Sequence, residues 1–448
     1  MRINLNKFLK KLQIRILIIF LILSIFNIIF TNFSFTFNKI YSENYQIKKV
    51  GILKPVVLLI EFPDLKANYE ISTPDFYNKV LFEKNNNSFY DYFYENSQGK
   101  LEIIGKVYSN EKTISKWFIA PKEYKFYENG FYGMGKYPNN TQKLIEDVIE
   151  ITDDVIDFSN HDGDNDGYVD GIIIIYAGSS NSTDNDKKIY PHSWVINPIK
   201  KDNKYINKYI VIPEYKYKPG DFTIGPLCHE FGHILGGIDL YDLDSHKNFY
   251  YDGHISNGLG KWSVMSNGIW GKKNIRGDTP SHFDAWHKIK FGWIEPVIIE
   301  KNENFVILDP IESMNGQIYK IILNKEPEEY LLIENRQKIK FDLDLPGEGI
   351  LIYHIDESIL NNSYAYSPFN ETPNKSHYKV SIIQKDDMYE LERGKNYGDK
   401  GDLFVEGDKF ILKREGSSLS YYNKNINIII SIIEKIDLSY YLKIEIIN

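Results

Sequence analysis

Apolar and polar positions alternate along this chain in two textures. Residues 56–62 (VVLLIEF), closed by Pro63-Asp64, form an apolar run too short for a helix and rich in β-branched residues, which predicts a buried strand. Residues 172–176 (IIIIY) predict a second buried strand, followed by a polar loop over 179–188. Helical spacing is found over 89–96 and over 142–155, where Leu144, Ile145, Val148, Ile149 and Thr152 share one face. Residues 223–236 predict a further helix, with Thr223 or Gly225 as cap, Pro226 at its first position and Gly236-Gly237 at its end. From about residue 305 the texture becomes short alternating or apolar runs, at 318–323, 330–334, 349–355, 378–384 and 426–433. Strands at that frequency predict a β-rich second unit of sandwich type. The expected class is α+β, with a boundary near residue 300: an export segment over 1–42, a first unit over 43–300 and a second over 301–448.

The first 42 residues follow a different logic. Arg2, Lys7, Lys10, Lys11 and Arg15 precede an apolar run over 16–30, broken only by Ser24 and Asn27. A basic stretch before a short apolar one is the pattern of an export signal. The run falls short of the roughly 20 apolar residues a spanning helix needs. An uncleaved anchor is the alternative, and a cleavage point after Ser42 is expected. Composition then changes the picture in three places. With 42% hydrophobic and 25% charged residues among 448, wholesale disorder is excluded. The net charge of −8 makes nucleic acid an unsuitable partner, and cleavage after Ser42, which removes six cations and no acid, leaves −14. The single cysteine, Cys228, excludes an intramolecular disulfide and by itself suggests the cytosol, whereas the export signal points outside the cell.

Chemistry concentrates in Cys228-His229-Glu230-Phe231-Gly232-His233, which continues through Ile234-Leu235-Gly236-Gly237-Ile238 to Asp239. Histidines four apart on a helix lie about 40° from each other, so His229 and His233 can reach one metal ion. Glu230 can lie beside a water activated there and take its proton. If the chain reverses at the glycines, Asp239 returns as a third ligand, and three protein ligands leave the open position expected of catalytic zinc. Asp242 and Asp244, just beyond, could replace it. Cys228 points about 100° away from His229 and reads as a small buried hydrophobe. Met265, in the turn Trp262-Ser263-Val264-Met265-Ser266, resembles the Met of metzincin metallopeptidases, which forms a floor under the zinc histidines.

A second pattern suits calcium. Asp162, Asp164, Asp166 and Asp170 occupy positions 1, 3, 5 and 9 of an EF-like loop with Gly167 at the sharp turn, although Ile173 stands where an EF-hand has Glu. An ion-free Asp/Gly turn is the alternative. Bound calcium would brace the adjacent strand. The acids Asp399, Asp402, Glu406 and Asp408 suggest a solvated loop more than a site. His161, His192, His254, His282 and His287 are expected to be structural, and Tyr241 is a weak candidate for stabilising an oxyanion.

Taken in order, LLIEFPD (58–64), NSQGKL (96–101), DGDNDGYVDG (162–171), TIGPLCHEFGHILGGIDLYD (223–242), GKWSVMSNGIW (260–270), HFDAWHKIKFGWIEP (282–296) and PGEGILIYHIDE (346–357) resemble the immune inhibitor A family of secreted bacterial zinc metallopeptidases. The resemblance implies zinc on His229, His233 and Asp239 and a general base at Glu230. Where family members often carry Leu-Pro before the Asp, this chain has Gly237-Ile238, which predicts a looser turn. The expectation is a monomeric, exported zinc endopeptidase with a metzincin-like domain and a β-rich unit, acting on proteins or peptides and touching membrane only through residues 1–42. A metal-dependent hydrolase of another substrate and a metal-dead adhesion protein are the rivals.

Overall fold

The computed structural model describes residues 49–183, 186–243, 256–362, 378–412 and 427–447, all within the unit Lys48–Asn448. The export segment, Asp244 and His254 lie outside the described residues. Strand β1 (Gly51–Leu53) leads into β2 (Val56–Glu61), whose side chains are all buried. Helices α1 (Pro74–Phe82) and α2 (Phe89–Asn96) precede the short strands β3 (Leu101–Ile103), β4 (Val107–Tyr108) and β5 (Phe118–Ile119). Next come α3 (Tyr124–Glu128), α4 (Thr141–Thr152), β6 (Ile172–Ser179), β7 (His192–Lys201), β8 (Lys204–Tyr215) and α5 (Ile224–Ile234).

These elements make a mixed sheet in the order β4-β2-β6-β8-β7, with β5 also pairing with β2. All its pairings are parallel except that of β7 with β8. The VVLLIE and IIIIY runs sit side by side in the middle, Leu58 opposite Ile174. Central strands covered on both faces need no polar alternation, which is why these runs are continuous. Helix α4 closes one face with Leu144, Ile145, Val148 and Ile149, all without solvent exposure. It starts one residue before the sequence suggests, because the Asn140 side chain accepts from the Lys143 N–H (3.2 Å), and it ends at Thr152.

Helix α6 (Ala285–Lys290) and β9 (Val297–Ile298) lead to the β-rich region. There β10 (Glu303–Leu308), β11 (Tyr319–Lys325), β12 (Glu328–Arg336), β13 (Gly349–Asp356), β14 (Val380–Ile382), β15 (Lys409–Leu412), β16 (Asn427–Ile436) and β17 (Ser439–Ile447) form two sheets. Their orders are β14-β13-β12-β11-β9 and β10-β17-β16-β15. Both sheets feed one core, Ile333 and Ile352 from the first meeting Ile430 and Leu442 from the second. Of the run at 378–384, only Val380–Ile382 pairs as strand. No helix among the described residues is long and apolar enough to cross a membrane.

Candidate active site

Helix α5 carries the His229-Glu230-x-x-His233 pattern and is buried along most of its length. Phe89 and Phe93 of α2 hold it by edge-on contacts with Phe231, each with ring centroids 5.3 Å apart. Thr223 is the N-cap residue, so Pro226 occupies the third helical position and not the first. Proline fits there because helical N–H groups of the first turn have no intrahelical partner. The Gly225 N–H, freed in the same way, donates to the Gly277 carbonyl (2.8 Å). At the other end Gly236 adopts φ +86°, and the Gly237 N–H donates to the Gly232 carbonyl (2.8 Å).

The turn at Gly237 is tight, contrary to the looseness its glycine suggests. A Cβ there would stand 2.9 Å from the Gly232 carbonyl oxygen. The glycine permits a close approach that brings the chain back at once. Its own carbonyl accepts from the His233 Nδ1–H (3.1 Å), and the Val264 carbonyl accepts from the His229 Nδ1–H (2.8 Å).

Those two bonds decide the tautomers. A carbonyl can only accept, so each Nδ1 carries the proton and each neutral ring presents a lone pair at Nε2. The two Nε2 atoms are 3.3 Å apart, and Asp239 Oδ1 lies 3.2 Å from the first and 3.5 Å from the second. Asp239 Oδ1 is buried with no hydrogen-bond donor. Three acceptors therefore converge on one point, an arrangement that a cation satisfies and that a hydrogen-bond network of neutral rings does not. The local field favours positive charge at this point, either a proton on Nε2 or, with the rings neutral, a metal ion in its place. Burial opposes charge on His229, but the Asp239 and Glu230 carboxylates outweigh it and hold the imidazole up at about 9. Burial works against ionised Asp239 too, yet the two histidines pull its carboxyl well below the usual range.

Met265 is fully buried, and a Cβ on Gly232 would meet its sulfur at 2.5 Å, so it packs against the helix between the two histidines. The Met265 carbonyl also accepts from the Leu240 N–H (2.8 Å), next to Asp239. Glu230 lines a cavity of about 920 Å³, together with His229, Tyr190 and Tyr241. The Tyr241 ring lies 6.5 Å from His229, and burial, then Asp239, pushes its phenol pKa up. Asp242 sits in the same wall and accepts from the Ser256 N–H (3.3 Å), outside the convergent trio. The Cys228 thiol is fully buried, and burial pushes its pKa up.

The remaining candidates separate. Asp162, Asp164 and Asp166 have carboxylate oxygens within 4.8 Å of one another, while Asp170 stands outside that group. One Asp170 oxygen accepts from the Lys54 and Gly163 N–H groups (2.7 Å each), and burial holds its carboxyl up at about 7. Asp162 is ion-paired with Lys204. Asp399 groups with Asp386 and Glu390, whereas Asp402 accepts from Trp262 Nε1 (2.8 Å) and Asp408 caps the Val405 N–H (2.9 Å). Glu406 accepts from the Lys435 N–H (3.2 Å). His161 bonds Tyr108 and His192 bonds Thr141; neither belongs to the convergent trio, although the Glu230 carboxylate acts on His192. His282 bonds Glu95 (2.8 Å). His287 has a part that the pattern reading missed: its Nε2 accepts from the Ile238 N–H (3.2 Å), one residue before Asp239, while its Nδ1–H donates to Asp284 (2.8 Å). The Asp-x-x-His spacing at a helix start is the signal that could have exposed it.

Converging acceptors beside an open cavity on an H-E-x-x-H helix define a metal-centre protein of the metallopeptidase type. Residues 42–294, more than half of the chain, match the family described as immune inhibitor A peptidase M6, catalytic domain, and the chain belongs to that family. It is similar to Immune inhibitor A of Bacillus thuringiensis subsp. alesti, with 28% identity over 281 residues, 52% of this chain and 39% of that protein. It is also similar to Pre-pro-metalloprotease PrtV of Vibrio cholerae serotype O1 (strain M66-2), with 24% identity over 282 residues, 52% of this chain and 29% of that protein. The matched segment thus spans well under half the length of either relative.

Proposed function

We propose that the chain is an exported, monomeric zinc endopeptidase that hydrolyses peptide bonds of extracellular proteins, with His229, His233 and Asp239 as ligands and Glu230 as general base. The observation that supports it most directly is the convergence of two imidazole lone pairs and one donor-less carboxylate oxygen beside Glu230. Two nitrogens and one oxygen suit zinc, and a three-ligand set leaves room for water or substrate. Zinc held there would supply a Lewis acid for the scissile carbonyl and lower the pKa of a water. Glu230 takes the water's proton and delivers it to the leaving amine. The carbonyls of Val264 and Gly237 keep both rings aimed, which preserves the ligand geometry through the reaction. Met265 serves as the apolar floor, and the loop around Asp162, Asp164, Asp166 and Asp170 serves as a calcium brace. The chemistry belongs to the first unit, 43–300, and the β-rich unit, 301–448, packs against it and lends Tyr397 to the cavity wall.

The test is gelatin zymography with and without chelator, paired with metal analysis of the purified mature protein. Glu230→Gln is expected to keep its zinc and lose about 10²–10⁴-fold in kcat. Full proteolysis by that variant at unchanged zinc content would overturn the mechanism. Export is checked separately, by N-terminal sequencing of the natural protein.

A further inference from the structure

The cavity that holds Glu230 continues past the start of α5 to Trp270, Lys216 and Arg276. Lys216 Nζ lies 3.5 Å from the Trp270 ring centroid, and the Arg276 guanidinium carbon lies 5.0 Å from it. Two cations thus share one indole at the cavity wall. Their mutual repulsion is felt: burial, then Arg276, lowers the Lys216 pKa. Neither cation has a carboxylate within ion-pair distance among the described residues. Asp221, the acid that acts on Lys216, is engaged elsewhere, accepting from the backbone N–H groups of Lys216 (2.7 Å), Tyr217 (2.9 Å) and Lys218 (3.1 Å).

Both cations sit on backbone fastened near the metal helix. The Arg276 carbonyl accepts from Thr223 Oγ1 (3.3 Å), and the next carbonyl, of Gly277, accepts from the Gly225 N–H (2.8 Å). Gly277 lies at φ +97°, and a Cβ there would meet Thr223 Oγ1 at 2.5 Å, so this approach requires glycine. The clasp of Asp221 holds the Lys216 segment just before the helix begins. Their distance from Glu230 is therefore set by the fold and not by a free loop.

We propose that Lys216 and Arg276 form a subsite for the carboxylate of a Glu or Asp side chain in the substrate, with the Trp270 indole packing against that side chain's methylene groups. The guanidinium fork and the ammonium match a carboxylate in charge and donor count. The proposal deepens the peptidase reading and rests on it: the substrate class becomes proteins or peptides with an acidic residue near the scissile bond.

The experiment compares matched fluorogenic peptides that differ only by Glu or Gln at each position around the cleaved bond, using the full mature zinc-loaded protein. At one position kcat/KM is expected to be about tenfold higher for Glu, a modest ratio because the subsite is open to water. In the Lys216→Met/Arg276→Met protein that ratio is expected to fall to about one, and in Lys216→Glu/Arg276→Glu the preference is expected to turn toward a Lys peptide. Binding of the same peptides to the Glu230→Gln protein, followed by fluorescence anisotropy, gives a readout independent of turnover. Acid-preferring binding by the Glu230→Gln protein, together with no cleavage of any peptide by the unaltered zinc-loaded protein, would reject the peptidase reading and keep the subsite. Cleavage with no preference for Glu at any position, a preference that survives in both double variants, or no binding of either peptide would reject the subsite.

Discussion

Asp284 is fully buried, and its two oxygens accept from Ser263 Oγ (2.7 Å), His287 Nδ1 (2.8 Å) and the His287 N–H (3.0 Å). Ser263 Oγ in turn accepts from the Met265 N–H (3.1 Å), and His287 holds the Ile238 N–H. One carboxylate therefore positions both the turn under the histidines and the segment that delivers Asp239. Burial opposes its charge, but His287 and the donors prevail and hold it at about 2. A depressed carboxyl contributes stability that is present above its unfolded value near 4 and is lost as the pH falls through about 2. Urea melts between pH 4 and pH 2 should lose about 2 kcal/mol through this group, and Asp284→Asn should flatten that slope. An unchanged slope in the variant would sink the assignment. The i, i+4 histidines were legible from spacing alone. The Asp284–His287 cap has a local signal in its Asp-x-x-His spacing, but the bond of Asp284 to Ser263 has none, because Ser263 lies 21 residues earlier and only the fold makes them neighbours.

At the scale of elements, α5 and the Met265 turn fit through the absence of a side chain at Gly232. A Cβ there would come within 2.5 Å of the Met265 sulfur and 3.0 Å of the Phe283 ring. Gly232→Ala is expected to cost about 1–3 kcal/mol by overpacking, read from denaturant melts, and to lower zinc content. Gly232→Ala with Met265→Ala should recover part of that loss, since the added methyl then has space. The acidic loop before β6 makes a different kind of prediction. Its three grouped carboxylates are partly neutralised by Lys204 on Asp162, so calcium must compete with an ammonium. A hundredfold excess of calcium over its Kd should raise the melting temperature by about 5 °C, and Asp164→Ala should abolish the rise. No shift in the natural chain would leave an ion-free turn. The loop's carboxylate spacing was readable in the sequence. Which carboxylates gather was not, since β1 and the following segment lie over it and the Lys54 N–H takes one Asp170 oxygen.

For the whole molecule, the β-rich region is a structural partner of the candidate active site. Arg336, at the end of β12, is fully buried and donates from Nη1 to the Trp262 carbonyl (2.8 Å), in the segment that leads to Met265. Its Nε and Nη2 donate to the two oxygens of Asp342 (2.9 Å each), while Asp342 Oδ1 also accepts from the His282 N–H (2.9 Å). Buried bonds of this kind cross the line near residue 300. Arg336→Ala is expected to cost about 3–5 kcal/mol, because Asp342 and Glu334 would be left as buried carboxylates without their cation. Thermal melts and zinc content measured together check this. A variant that melts normally and holds zinc would show that the two regions stand apart.

By itself, the sequence determined what local periodicity can carry: two central strands, the amphipathic α4, and a helix with two histidines and a glutamate on known faces. Those features depend on neighbours within one or two turns, or on alternation along one strand. Only the tertiary structure decided how the glycine turn closes, which carbonyls orient the imidazoles, and why Asp239 meets them with a bare oxygen. It also decided that two cations from either side of α5 in the chain share Trp270. Such contacts join residues tens of positions apart, and their distances follow from packing, which spacing along the chain does not encode.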